Sequence, residues 1–199
     1  MRITKDPAVR RQEIVEQARL QFEARGISKT SMNEIAVGVG VAKGLIYYYF
    51  PSKEHLVEEV ISQFIQELDE SLSQIIQRGD LDFYAKLTAI LELYFSAIRS
   101  HPTVMVFSPA DPGVFSLIRE RMSEIALRHA GVLLQQGMQQ NLIQIRYPEH
   151  MLRMLIRGLG DLYIEGVRQL PILVTLIEQT LGLEKERLYL NERCLSGPD

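Results

Sequence analysis

The residues whose types and spacing carry chemistry lie between positions 26 and 56. Ser31 stands three positions before Glu34, the spacing at which a hydroxyl and a carboxylate satisfy the free N–H donors of a helix start. Further on come Lys43, Gly44, Tyr47, Tyr48, Tyr49 and Lys53. Three consecutive tyrosines on a helix point about 100° apart, so they cannot all be buried, and at least one or two phenols face water. Phenols beside two ammonium groups suit the holding of phosphate oxygens rather than the making of bonds. Gly44 costs a helix about 1 kcal/mol against alanine and so needs a reason. Two reasons stand level: close approach of the backbone to a base pair or phosphate, or close packing on a neighbouring helix.

These residues need two short helices and a turn to position them. Ile35 and Ala36 supply the buried face of the first helix. Gly40, which tolerates positive φ, turns the chain between Val39 and Val41. Ala42 opens the second helix, Pro51 stops it, and Ser52 starts a longer one. This layout is that of a helix-turn-helix, whose second helix lies in the DNA major groove.

Enzyme chemistry finds no comparable support. Gly38-x-Gly40 and Gly158-x-Gly160 follow no predicted strand, so neither is a dinucleotide loop. There is no nucleophile elbow, phosphate-binding Walker loop or His-Glu-x-x-His pair. The four histidines are scattered without metal-ligand spacing. No cofactor, metal or catalytic residue is implied. His129, on an apolar helix face, reads first as a satisfied core histidine and second as a ligand-binding group.

The charge agrees with a nucleic-acid role once it is divided. Residues 1–56 carry nine Lys/Arg against six Asp/Glu, a balance of +3; the remainder carries thirteen against nineteen, a balance of −6. Positive charge thus collects where phosphate would be met. At 46% hydrophobic residues the chain can build a sizeable core, and no apolar run is long enough for a membrane span. A lone cysteine, Cys194, excludes an internal disulfide and fits the cytoplasm.

Helical periodicity predicts an all-α chain. Helices are expected over 7–25, with Ile14, Ala18 and Phe22 inward, then over 52–78, 81–100, 114–140, 148–168 and 171–181. A short segment, 104–107, precedes the breaker run 108–113. The last two helices are apolar nearly all round, which requires burial on all sides and favours a partner subunit.

Residues 26–56 closely resemble the DNA-binding domain of the TetR family of bacterial transcriptional regulators. The resemblance is carried by Gly26, Thr30-Ser31, Ile35-Ala36, Gly40-Val41, Ala42-Lys43-Gly44, Tyr47-Tyr48-Tyr49-Phe50 and Lys53-Glu54-His55-Leu56. It covers the first quarter of the chain, and Val39 departs from the family's usual alanine. The resemblance implies a helix-turn-helix domain over 1–52, a helical effector-binding and dimerisation domain over 53–190 and a polar tail over 191–199. It implies a regulator, a repressor released from a palindromic double-stranded DNA operator by an apolar or amphipathic small molecule. Helix 52–78 would link the two domains and transmit the signal by its tilt.

DNA contacts are expected from Thr30 and Ser31 to phosphate, from Lys43 and Gly44 to base edges, and from Tyr47, Tyr48, Tyr49 and Lys53 to phosphate, with Ala42 at the start of the recognition helix. The effector pocket is expected among Tyr84, Tyr94, Phe95, Met105, Phe107, Phe115, Met122, His129 and Tyr163. A homodimer interface is expected at Ile156, Gly160, Ile164, Val167, Leu173, Leu176 and Ile177. The alternative is a helical small-molecule-binding protein that has lost operator binding.

Overall fold

In the computed structural model, which describes residues 6–100 and 112–191, the protein is helical and no strand occurs among the described residues. The helices are α1 (Pro7–Arg25), α2 (Met32–Val39), α3 (Lys43–Tyr49), α4 (Lys53–Gln77), α5 (Phe83–Ser100), α6 (Pro112–Gln139), α7 (Pro148–Ile164) and α8 (Leu170–Leu181). The expected segment 104–107 lies outside the described residues, as do Arg2, Lys5 and Cys194.

Local chemistry accounts for the boundaries. Asp6 caps α1, its carboxylate accepting the Ala8 N–H at 2.8 Å, with Pro7 in the first turn. Asp82 does the same for α5 through the Ala85 N–H at 2.8 Å. The seventh helix ends at Ile164 rather than near residue 168. Gly166 adopts φ +94°, and the Val167 N–H closes the turn on the Leu162 carbonyl at 2.9 Å. Gly182, at φ +63°, ends α8.

The chain forms two compact units, divided within α4 between Gln66 and Glu67 and within α6 between Ile118 and Arg119. The core of the N-terminal unit contains Ile14, Val15, Ala18 and Phe22 of α1, Ile35 and Ala36 of α2, Ile46 of α3 and Phe50. Leu56, Val57, Val60 and Ile61 of α4 are buried with them, so the first turns of the long helix belong to this core. In the other unit, the buried residues are mostly Leu and Ile from α5, α6, α7 and α8.

One polar cluster in the C-terminal unit joins α4 to α6. His129 is only 8% exposed, and its Nε2 lies 2.6 Å from Asp69 Oδ1. Arg128 Nη1 adds a contact to the same carboxylate at 3.3 Å. The imidazole, first, and the arginine hold the Asp69 carboxyl below its ordinary range. His129 is therefore a satisfied histidine, not a wall of the expected effector pocket.

Candidate nucleic-acid interface

The second helix starts on a full capping box. The Ser31 hydroxyl accepts the Glu34 N–H at 3.2 Å, and the Ser31 N–H donates to Glu34 Oε2 at 2.8 Å. The Ser31 backbone donor, then its hydroxyl, keep the Glu34 carboxyl below the usual range. Arg25 reaches the other carboxylate oxygen at 3.1 Å, and Gln21 Nε2 donates to the Glu34 carbonyl at 3.1 Å, which ties α2 to α1.

Gly40 turns the chain at φ +74°, a left-handed conformation that β-branched or bulky residues avoid. The Val41 N–H folds back onto the Ala36 carbonyl at 2.9 Å, and Ala42, extended, opens α3. Ile46 is fully buried and anchors α3, while Val39 and Val41 are half-buried in the turn. Phe50 closes the motif from below, with the Arg11 guanidinium 5.0 Å from its ring centroid and also 2.6 Å from Glu59 of α4.

With Ile46 inward, one continuous face of α3 is left to solvent. Ala42, Lys43, Gly44, Tyr47 and Tyr48 are all exposed, Tyr47 at 42% and Tyr48 at 78%. Residues 43, 44, 47 and 48 share a face by helical spacing. Lys43 Nζ lies 5.6 Å from the Tyr47 ring, and Tyr49, half-buried, meets Tyr48 edge-on at 5.2 Å. Lys53, also half-buried, makes a long 3.4 Å contact with the Ser28 carbonyl.

Gly44 decides between its two readings. A Cβ built there meets nothing within 4 Å, so no packing inside the chain demands glycine. The open space lies on the same face as Lys43 and Tyr47.

Thr30 corrects an expectation. It is 2% exposed, and its hydroxyl donates to the Gly26 carbonyl at 2.9 Å. Its own N–H is taken by Ile27. Thr30 therefore fixes the entry to α2 and does not present a side chain to phosphate. Ser31 remains at the surface.

The geometry is that of a helix-turn-helix with a free second helix, and a family model agrees in place and extent. The model of bacterial regulatory proteins, tetR family, matches residues 14–60. Residues 14–60 thus match the DNA-binding part of that family. The chain is 34% identical over 102 residues to the HTH-type transcriptional repressor KstR2 of Mycolicibacterium smegmatis, an overlap of 51% of this chain and 49% of that protein. The chain thus spans about half the length of the curated relatives it matches. Over the whole fold it is similar to a transcriptional regulator from Cytophaga hutchinsonii, with TM-score 0.64, 24% identity and coverage of 82% of this chain and 83% of that one. It is also similar to the protein of a SmeT–triclosan complex, with TM-score 0.65, 14% identity and coverage of 96% and 98%.

The C-terminal unit holds an apolar cavity of about 60 Å³ among α5, α6, α7 and α8. Of the expected pocket residues, Tyr94 lines it. Tyr84 is buried under the Arg187 guanidinium, 4.7 Å from its ring, and Phe95 and Met122 are buried away from the walls. Met105 and Phe107, and the side chains of Phe115 and Tyr163, lie outside the described residues. The walls are mainly leucines, such as Leu87, Leu91, Leu133, Leu152 and Leu159. Sequence reading placed these on inward stripes but looked for the pocket in aromatics and methionines. Leucine stripes mark a core in sequence, and nothing in their spacing marks a gap within it.

The expected dimer residues are also redistributed. Leu173 and Ile177 are fully buried within one chain, Ile156 lines the cavity, and Gly160 packs on the Tyr94 hydroxyl. Only a helix hydrophobic all round could have used them twice. Leu176 at 36% and the half-exposed Val167 stay near the surface, and the Ile164 side chain lies outside the described residues. Among the described side chains of the last two helices, the exposed large apolar ones are Met154, Ile172 and Leu176.

Proposed function

We propose that this chain is a sequence-specific, DNA-binding transcriptional regulator that acts as a homodimer, represses from a palindromic operator and is released by a small-molecule effector. The observation that carries this reading is the exposed face of α3, where Lys43, Gly44, Tyr47 and Tyr48 stand together on a helix that Ile46 anchors. Lys43 and the open backbone at Gly44 read base edges. Tyr47, Tyr48, Tyr49, Lys53 and Ser31 hold phosphates and set the register. Residues 1–52 form the DNA-reading part and 53–190 the effector and pairing part. The role is one of binding rather than catalysis, exerted in the cytoplasm where the operator lies. Described helices include none long and apolar enough to cross a membrane.

Pairing uses the outer surface of α7 and α8, where Met154, Ile172 and Leu176 are exposed. Two copies related by a two-fold axis would set their recognition helices one DNA turn apart, about 34–36 Å or a multiple. Effector binding in the C-terminal unit changes that separation by tilting α4.

The test is selection from a pool of random duplexes with the purified chain, followed by a salt titration. Enrichment of a palindrome with a steep fall in affinity as salt rises is expected. Retention without sequence preference would refute operator recognition and favour a small-molecule-binding protein whose helix-turn-helix is silent.

A further inference from the structure

The cavity of the C-terminal unit is selective in its chemistry. Its walls come from Leu87, Leu91, Leu133, Leu152, Leu159 and Ile177, among other apolar side chains. Among the described residues, no Asp, Glu, Lys, Arg or His contributes to them. Among the described wall residues, Tyr94 is the one with a polar side-chain atom. Among the described residues, none forms a hydrogen bond with the Tyr94 hydroxyl. Tyr94 is half-buried, and a phenol without a partner in the chain keeps a donor that an incoming group can use.

The surroundings of that hydroxyl are specific. A Cβ at Gly160 would lie 3.0 Å from the Tyr94 oxygen, so the glycine leaves the phenol its place. Arg119 and Asp161, paired at 2.7 Å, are near enough to act on it electrostatically. Burial, the larger influence, and then Asp161 push its pKa up to about 12. The phenol is thus uncharged across the physiological range and keeps a proton to donate.

We propose that this cavity takes an uncharged, slender molecule, a carbon chain or single ring carrying one hydrogen-bonding group, and that Tyr94 receives that group. This rests on the effector-binding reading above and names the ligand class for that site. Charge is disfavoured because no described wall residue supplies a counter-ion, and an unpaired buried charge is costly. Width is limited by volume. About 60 Å³ is room for only a few heavy atoms, since a water's share of liquid volume is about 30 Å³. Leucine walls can lengthen such a space by changing rotamer, which admits a chain of methylene width. A fused-ring body would require the helices themselves to part.

The experiment uses the full chain and four probes of one length: 1-hexanol, 1-chlorohexane, hexanoate and hexylammonium. Affinities are read by titration calorimetry and thermal shift. Binding of 1-hexanol and 1-chlorohexane is expected, with at least roughly tenfold weaker binding of both ions. Tyr94→Phe should weaken 1-hexanol by roughly five- to tenfold and leave 1-chlorohexane unchanged. Either ion binding as tightly as the alcohol, or an unchanged 1-hexanol affinity in Tyr94→Phe, would overturn the proposal. A parallel mobility shift on the selected operator separates the two readings. Alcohol binding without operator release refutes effector control and upholds the cavity assignment. Firm operator binding with no alcohol or chloride binding upholds the regulator and removes this ligand class.

Discussion

The helix-turn-helix and the leucine-walled cavity are built by opposite means. Both ends of α2 have their own local device: the Ser31–Glu34 box and the Thr30 hydroxyl on Gly26 at its start, and the left-handed Gly40 at its end. The cavity has no such device, and its shape comes from leucines on four helices that are distant in sequence. A surface that must meet one DNA geometry is held by short-range bonds. A space that admits a small molecule is held by side chains that can change rotamer.

The largest break in this contrast should come from Ile46→Ala. Ile46 is fully buried beneath the recognition helix, so truncation should cost about 2–5 kcal/mol in denaturant unfolding. A loss below about 1 kcal/mol would mean that α3 is not anchored as tightly as the burial of Ile46 suggests. Lys43→Ala tests the surface above it. Stability should be unchanged, while specific binding weakens by about 1–3 kcal/mol and preference relaxes at one operator position. An unaltered preference would remove Lys43 from base reading.

Asp69→Asn probes the C-terminal unit's own polar tie and should cost about 1–3 kcal/mol, since it loosens the bond to the buried His129. The pH dependence has a definite sign. A carboxyl whose pKa is lowered by folding stabilises above its ordinary value of about 3.9 and loses that contribution as pH falls through its folded value. The difference between wild type and variant should therefore shrink below about pH 4. A difference constant from pH 7 to pH 3 would contradict it. The smallest effect has two signs. Gly44→Ala should raise helix stability by about 1 kcal/mol, because its Cβ meets nothing, yet weaken operator binding. Gain in both would show that DNA does not approach Gly44.

The same contrast explains what could be read before folding. The capping box, the Gly40 turn and the exposed tyrosines were legible because their partners lie three to six residues away. The seventh helix was read four residues too long, since its end depends on Gly166 turning left-handed rather than on a break in apolar periodicity. Thr30 was misplaced because a threonine before a helix looks the same in sequence whether its hydroxyl faces DNA or the Gly26 carbonyl. Leu173 and Ile177 were assigned to a partner because periodicity says that a face is apolar but not which neighbour covers it. The cavity escaped for a related reason: leucine stripes reveal a core, not a gap within it.

The burial of Leu173, Ile177 and Leu181 within a single chain has a consequence for assembly. The last helix finds its core without a second copy, so in the proposed homodimer folding and pairing would be separate events. Dilution would part the two halves of a pair and leave each intact. Occupancy of the paired half-sites would then follow the square of the free chain's concentration, so that abundance alone becomes an input to the switch.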